Sequence, residues 1–156
     1  MRQCNCDLMT KQEVAEWAWL AGILDGEGSI RIERPRGHKL GAIRIAVRMA
    51  SLETIERCRE ITHVGSLYEP PVPDNRQKLY QWQICGKAPI GVLRHCLPFM
   101  VTKQQQAQLA LEYGELVQNY HPAPGKPVPG GIVARREVLR DKMLQLNKRG
   151  TPIAIR

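Results

Sequence analysis

The N-terminal part of the chain has the hydrophobic spacing of an amphipathic helix. Apolar residues recur at intervals of three and four over residues 11–25, which is the period of one helical face. Thr10 and Glu13 are spaced like the two partners of a capping box and so mark the start of this helix. The predicted helix runs into Gly26-Glu27-Gly28, an acid between two glycines.

The two segments that follow alternate polar and apolar residues, which is typical of half-buried strands. The first, 29–34, is closed by Pro35, and a loop at 36–41 separates it from the second, 42–49. In the second segment, isoleucine, valine and methionine occupy one face, whereas alanine and arginine occupy the other. The pair predicts a hairpin with one face on a core and one open face.

The order of one helix and two strands recurs in the middle of the chain. The later predicted elements are a helix at 52–62, strands at 64–68 and 78–85, helices at 89–97 and 102–119 separated by Pro98, and a charged helix at 132–148. This order predicts an α+β fold with an αββαββα core, a four-stranded antiparallel sheet packed by helices, and an extra C-terminal helix. We assign the chain to a core at 1–120, a Pro/Gly linker at 121–131, and a basic helix and tail at 132–156.

The open face of the predicted sheet is rich in arginine and glutamine. Its polar residues are Ser29, Arg31, Glu33, Arg44, Arg48, Gln81 and Gln83. Arginine pairs with guanine, and glutamine with adenine, through two hydrogen bonds each in the DNA major groove, which a β-ribbon can enter. Alternating polar residues are also typical of a solvated sheet face, and the pattern alone leaves both interpretations open.

The composition supports a basic, folded domain. Of the 156 residues, 43% are hydrophobic, which provides a core and excludes a disordered tail. The 23 Lys and Arg residues against 15 Asp and Glu give a net charge of +8, which favours a polyanionic partner. No apolar run approaches the ~20 residues of a membrane span, so no membrane partner is expected. Because the N-terminus lacks an apolar signal region, we expect a protein of the cytoplasm or of an organelle matrix or stroma, not a secreted one.

The cysteines and histidines do not form a recognisable metal site. There is no C-x-x-C pair, and the spacing of Cys4 and Cys6 near the terminus is weak support for zinc. Cys58, Cys85 and Cys96 lie among apolar residues and are expected to be buried thiols. The four histidines are scattered, and we assign none of them a ligand role. No organic cofactor is expected.

Residues 20–28, Leu-Ala-Gly-Ile-Leu-Asp-Gly-Glu-Gly, closely resemble the LAGLIDADG motif of the homing endonucleases. The match covers all nine positions, allowing Gly26 in place of alanine and Glu27 in place of aspartate. The resemblance extends over most of 17–117 and includes the segments 80–86 and 97–107. The motif occurs once, so the chain is similar to the single-motif members of this family.

The resemblance implies a saddle-shaped sheet and a homodimer in which two motif helices pack against each other. It implies a site-specific endonuclease, of the kind that functions in intron homing, which binds a long near-palindromic double-stranded DNA and makes a metal-dependent staggered break. Mg²⁺ or Mn²⁺ is the implied cofactor, whereas Ca²⁺ is expected to bind without supporting cleavage. The small residues Ala18, Ala21 and Gly22 of the motif helix would form the dimer interface, together with Asp25.

The resemblance also implies roles for individual residues. Glu27 is the implied metal ligand, together with the carbonyl of Gly26, and Asp25 is expected to close the helix end. Lys103 matches a basic residue near the scissile phosphates, although a surface lysine in a first helical turn is an alternative. The residue that orients the attacking water has no clear counterpart, and we assign it to Ser51. The implied DNA contacts are Ser29, Arg31, Glu33, Arg44, Arg48, Arg76, Lys78, Gln81 and Gln83.

Two other functions are compatible with the sequence. One is a cleavage-deficient nucleic-acid-binding protein of the same fold, such as an intron maturase or a transcription regulator. The retention of Glu27 and Lys103 favours the enzyme over this alternative. The other is a basic oligomeric scaffold, which the Arg/Gln sheet face disfavours. The helix at 132–148 is expected to contact the DNA backbone, to contact the partner subunit, or to be solvated.

Overall fold

A four-stranded antiparallel sheet forms the centre of the molecule, in the order β1-β2-β4-β3. The computed structural model describes residues 9–34, 36, 41–120 and 123–148. The strands are β1 (Gly28–Glu33), β2 (Ala42–Met49), β3 (Ser66–Tyr68) and β4 (Tyr80–Gly86). The helices are α1 (Lys11–Glu27), α2 (Leu52–Thr62), α3 (Ala88–Cys96), α4 (Gln104–Gln118) and α5 (Gly130–Leu146), with a 3-10 turn at Leu97–Phe99. The predicted α+β fold and its four-stranded antiparallel sheet are confirmed.

Helices α1 to α4 cover one face of the sheet, which is the apolar one. Ile30, Ile45 and Ile84 lie side by side across β1, β2 and β4, and all are buried. The opposite face carries the polar residues, because successive side chains of a strand point to opposite sides. The helices therefore leave the polar face of the sheet uncovered.

The ends of several elements differ from the predicted ones by about two residues, which is the usual error at element boundaries. Strand β3 starts at Ser66 and not at residue 64, because the preceding residues are used to enclose a tryptophan. The indole of Trp82 is fully buried and donates a hydrogen bond from Nε1 to the Val64 carbonyl at 3.0 Å. Gly65 has a φ of +99°, and a Cβ there would lie 2.5 Å from Nε1 of Trp82, so only glycine fits this approach.

The capping box predicted at the start of α1 is present. The Thr10 side chain accepts a hydrogen bond from the Glu13 amide at 3.2 Å, and the Glu13 carboxylate accepts one from the Thr10 amide at 2.7 Å. This hydrogen bond from the Thr10 backbone lowers the pKa of Glu13. The start of the helix is therefore fixed at Thr10.

The C-terminal helix α5 is part of the same core. Leu139 and Met143 are fully buried beside α4 and β1. Arg136 is also buried and donates to the Leu116 carbonyl in the last turn of α4 at 3.2 Å, where a helix has unpaired carbonyls. The side chain of Asn147 donates from Nδ2 to the Ile30 carbonyl of β1 at 2.9 Å.

The charges of α5 are largely paired within the chain. Arg135 pairs with Glu112 of α4, and Arg34 pairs with Glu137. Arg140 approaches Glu137 to 4.0 Å. These ion pairs engage Arg135 and Arg140, two of the basic residues of this helix. Within the described ranges, none of the helices has the length and apolar character required to cross a membrane.

Candidate functional site

The acid of the nine-residue motif is the last residue of α1. The helix was predicted to end at residue 25 and continues to Glu27, after which Gly28 has an extended conformation and starts β1. A Cβ at Gly28 would lie 2.7 Å from backbone atoms of Leu24, so the direct passage from helix to strand requires glycine. Glu27 is thereby held at a rigid junction between two elements.

Glu27 is exposed, and its carboxylate makes no hydrogen bond or ion pair with any residue that the structure describes. A carboxylate at a helix C-terminus meets the negative end of the helix dipole, and this costs about 0.3–1 kcal/mol. The last carbonyls of the helix, including that of Gly26, also lack intrahelical partners. This end of α1 therefore presents an unpaired carboxylate and carbonyl oxygens, which are groups that attract a cation.

The donor types at this end fit a hard divalent cation. Carboxylate and carbonyl oxygens are the ligands that Mg²⁺ and Ca²⁺ take in proteins. One chain offers the carboxylate of Glu27 and the neighbouring carbonyl of Gly26. No group of three or more His, Cys, Asp or Glu side chains that could hold a metal occurs in the described part of the chain.

Lys103 is tied to the same helix end. It immediately precedes α4, and its Nζ donates hydrogen bonds to the carbonyl oxygens of Leu24, at 3.0 Å, and Asp25. Partial burial lowers the pKa of Lys103, and the nearby charges of Asp25 and Glu27 oppose this effect. Lys103 is thus not a freely solvated lysine, because its ammonium group binds the carbonyls of α1, and its catalytic role stays a prediction.

Asp25 joins α1 to the segment that leads into α4. Its carboxylate accepts hydrogen bonds from the amides of Val101, at 2.7 Å, and Lys103, at 2.9 Å. The expectation that Asp25 closes its own helix end needs correction, because the amides that it satisfies lie before α4. Asp25 and Lys103 thus form a two-way connection in which side chains from each segment bind the backbone of the other.

Ser51 begins α2. Its Oγ accepts a hydrogen bond from the Thr54 amide at 3.2 Å and lies 2.9 Å from the Thr54 hydroxyl. This is the geometry of an N-cap, which accounts for a serine at this position. Its role in orienting water stays a prediction.

The polar face of the sheet is assembled by the strand register. Arg31 of β1 lies opposite Arg44 of β2, and Arg48 of β2 lies opposite Gln81 of β4. The register also brings three residues to this face that the sequence reasoning did not include, namely Ser66, Tyr68 and Cys85. Cys85 follows Gln81 and Gln83 at a spacing of two on β4, and Ser66 and Tyr68 have the same spacing on β3. This two-residue spacing in the sequence could have identified them.

Cys85 corrects an expectation. It was expected to be buried, and its position on the polar face leaves it exposed. Cys58 and Cys96 are buried as expected, and burial raises the pKa of each thiol to about 12. Cys4 and Cys6 lie outside the described residues.

A continuous set of hydrogen bonds crosses the polar face. Arg44 donates from one Nη to Glu33 at 2.9 Å and from the other to Oε1 of Gln83 at 2.5 Å. Gln81 donates from Nε2 to the same Oε1 at 3.2 Å and accepts a 2.8 Å hydrogen bond from Nε of Arg48. We call these five residues the sheet network. The hydrogen bond to Glu33 raises the pKa of Arg44.

Gln81 also departs from the predicted open position. It is only 3% exposed, because the neighbouring side chains of the polar face enclose it. Its amide is therefore covered in this structure, although its strand position is on the polar side.

The other predicted DNA contacts lie at the borders of the sheet network. Arg31 is exposed, at 4.0 Å from Glu33, and Ser29 donates to the Ala46 carbonyl at 3.5 Å. Lys78 pairs with Glu69 at 2.9 Å, and this hydrogen bond raises the pKa of Lys78. The exposed Arg76 belongs to the turn that precedes Lys78.

The outward face of α1 is formed by small and apolar residues. Ala15, Trp19, Gly22 and Gly26 are exposed at helical spacing, and Trp19 is 38% exposed. A Cβ added at Gly22 or Gly26 would meet nothing within 4 Å, so no contact with a residue that the structure describes requires glycine there.

Three of the four predicted interface residues are not freely exposed on α1. Ala21 is fully buried in the core of its own chain, so the prediction that it forms the interface is wrong. Ala18 is half-buried, and Asp25 is bound to the segment before α4. The exposed face of the motif helix instead contains Gly22, the residue after Ala21.

Neither a protein-family model nor a curated protein sequence matches the chain. Solved structures do match. The homing endonuclease I-CvuI, in complex with its target in the presence of Ca²⁺, aligns with a TM-score of 0.70 at 19% identity over 92% of this chain and 90% of that chain. The archaeal intron-encoded homing endonuclease I-Vdi141I, complexed with DNA, aligns with a TM-score of 0.71 at 16% identity over 88% of this chain and 87% of that chain.

A third match has a different chain length. The LAGLIDADG meganuclease I-AabMI, bound to uncleaved DNA, aligns with a TM-score of 0.61 at 18% identity over 80% of this chain but only 43% of that chain. The chain thus corresponds to nearly the whole of the first two proteins and to less than half of the third. It has the fold of the LAGLIDADG homing endonucleases, as its nine-residue motif predicts.

Proposed function

We propose that this chain is a site-specific DNA endonuclease of the homing type, which binds a long near-palindromic duplex as a homodimer and makes a staggered double-strand break. The observation that carries the proposal is the place of Glu27. This exposed, unpaired acid is fixed at the junction where α1 passes directly into the Arg/Gln face of the sheet. A cation-attracting group therefore adjoins a surface suited to a polyanion.

The outward face of α1 supports the proposed homodimer. Glycine in a helix costs about 1 kcal/mol relative to alanine, and no close contact with a described residue offsets this cost at Gly22 or Gly26. Two copies of α1 can approach closely along this glycine face, with Trp19 adding apolar contact area. A two-fold axis along these helices would bring both copies of Glu27 to one place.

The residues at the end of α1 would hold the divalent ion. Glu27 and the Gly26 carbonyl are the proposed ligands from each chain, with Mg²⁺ or Mn²⁺ supporting cleavage and Ca²⁺ supporting binding alone. When bound, such an ion supplies an activated water and neutralises charge on the phosphate and on the leaving oxygen. Each chain would thus contribute one Glu27 carboxylate, held at the end of its own α1.

Lys103 and Ser51 are the other proposed catalytic groups. An ammonium group has three N–H donors, and Lys103 uses two of them on carbonyls of α1, so one is available to a phosphate oxygen. Its positive charge beside Glu27 would reduce the repulsion between the acid and the DNA backbone. Ser51 is proposed to help orient water, although its Oγ already caps α2.

The sheet face is proposed to lie in the major groove. Two saddle-shaped sheets related by the dimer axis would contact a site with two-fold character, which explains the near-palindrome. We assign Arg76 and Lys78, in the loop that enters β4, to the phosphate backbone, where they would position the protein without reading bases. The proposed base contacts belong to the polar face.

A selection experiment tests this function. A plasmid library with a randomised duplex insert is treated with the protein and Mg²⁺, and the new ends are sequenced. We expect recurrent cuts with a constant overhang at one family of near-palindromic sequences, and none with Glu27→Gln. Specific binding without cuts would identify a cleavage-deficient binding protein of the same fold. The absence of both binding and cuts would favour a basic scaffold.

A further inference from the structure

The sheet network contains two arginines in different states. Both Nη groups of Arg44 already have acceptors, in Glu33 and Gln83, and its Nε is buried without a partner. Arg48 is exposed and uses only its Nε, on Gln81. Its two Nη groups make no hydrogen bond with any described residue, so they form a free pair of parallel donors.

The orientation of both glutamine amides follows from the arginines. A guanidinium group only donates, so the atom of Gln83 that faces Arg44 and the atom of Gln81 that faces Arg48 are both oxygens. Gln81 then turns its Nε2 to the oxygen of Gln83, which accepts two hydrogen bonds. The amide nitrogen of Gln83 is the group that remains for a ligand. A reversal of either amide would place a donor against a donor.

The groups that Arg48 and Gln83 still have available are therefore donors, beside the hydroxyls of Ser66 and Tyr68, which can donate or accept. Bidentate recognition of adenine by glutamine needs one donor and one acceptor, and the acceptor of Gln83 is already occupied. Guanine presents two acceptors, O6 and N7, which match a pair of parallel arginine donors. Gln81 is buried, so it contacts Arg48 and not a base.

We propose that Gln81 and Arg44 are positioning residues, and that they orient Arg48 and Gln83 as donors so that this part of the sheet selects guanine in the major groove. The inference rests on the proposed function and goes further, because it names the base and separates the reader Arg48 from the residues that hold it. Fixing Arg48 in advance reduces the side-chain entropy that binding would otherwise cost.

The test uses the full chain and a randomised duplex library with Ca²⁺, from which bound DNA is recovered and sequenced. Arg48→Ala first locates the base pair at which guanine preference is lost. Gln81→Met, which keeps the length of the side chain without its hydrogen bonds, should lower the guanine preference at that same base pair by about tenfold. Affinity for the library as a whole should change much less.

Two further variants separate positioning from a folding effect. Gln81→Glu keeps the oxygen that accepts from Arg48, so it should retain the guanine preference that Gln81→Met loses. It should do so even if its melting temperature is equal to or lower than that of Gln81→Met. The double variant Arg48→Ala with Gln81→Met should show no loss of preference beyond Arg48→Ala alone. Arg59→Ala, which changes an exposed arginine of α2 on the other side of the sheet, should leave this base pair unaffected.

The opposing results are distinct. The inference is overturned if Gln81→Met changes the preference at a different base pair, which would make Gln81 a direct reader, or if it leaves the Arg48 base pair unchanged. An adenine preference at the base pair lost in Arg48→Ala would also overturn it. If the unaltered protein enriches no sequence at all, the proposed function fails together with the inference.

Discussion

The Nζ atom of Lys103 lies 3.0 Å from the carbonyl oxygen of Leu24, so a lysine at the start of α4 serves as a cationic cap for the end of α1. Asp25 returns the connection by accepting from the amides of Val101 and Lys103. Glu27 lies two residues after Asp25, at the same end of α1. Its location relative to the sheet thus depends on a polar junction between two helices distant in sequence.

Removal of the Lys103 ammonium should affect both stability and activity. Lys103→Met leaves two carbonyls and the helix dipole without their cation, and we expect a loss of about 1–2 kcal/mol in the free energy of unfolding. Urea denaturation measures this loss, and cleavage by the folded variant should fall by more than tenfold. Lys126→Met, at an exposed position of the described loop before α5, is the control. Equal effects of the two substitutions would contradict the assignment.

Glu27→Gln should raise stability while it abolishes cleavage. The substitution removes a negative charge from a helix C-terminus, which is worth about 0.3–1 kcal/mol, and also removes the proposed metal ligand. Glu115→Gln is matched, because Glu115 is an exposed acid in the last turn of α4, far from the motif in sequence. Both variants should show the small stabilisation in urea, and only Glu27→Gln should lose Mg²⁺-dependent cleavage. A destabilised Glu27→Gln would show that the acid has a structural partner.

Gly22→Leu should stabilise the helix and weaken the dimer. No described residue opposes a side chain at Gly22, and removing a helical glycine gains up to about 1 kcal/mol. A bulky side chain on the proposed interface would nevertheless separate the two copies of α1. Sedimentation velocity should show a shift from dimer to monomer. Gly91→Leu, at another exposed helical glycine with open space around it, should leave the dimer intact.

Leu139→Ala should show that α5 is required by the core. Leu139 is fully buried, and truncating a buried leucine costs about 2–5 kcal/mol. Leu144→Ala, on the same helix but 47% exposed, should cost much less. Thermal or urea unfolding distinguishes the two. Similar small losses of stability in both variants would mean that α5 does not contribute to the stability of the core.

The sequence predicted the element order and the sheet faces because these follow from hydrophobic period alone. The nine-residue motif located Glu27 because the passage from helix to strand is local. Glycine is required at position 28 by the backbone of Leu24, four residues earlier. The burial of Ala21 was missed, since helical spacing does not tell which small residues face the chain's own core. The contact of Lys103 with α1 was also missed, because it joins residues 79 positions apart.

Cys85 offers a chemical probe of the polar sheet face. Burial raises the pKa of Cys58 and Cys96 to about 12, so their thiols stay protonated and inaccessible near pH 8, whereas Cys85 is exposed. In a background with Cys4→Ser and Cys6→Ser, a disulfide reagent should modify one thiol rapidly. Cys85→Ser should abolish that reaction. Bound cognate duplex in Ca²⁺ should slow it by tenfold or more, because DNA on the polar face would cover Arg44 and its strand neighbour Cys85. An unchanged rate in a saturated complex would place the DNA elsewhere on the molecule.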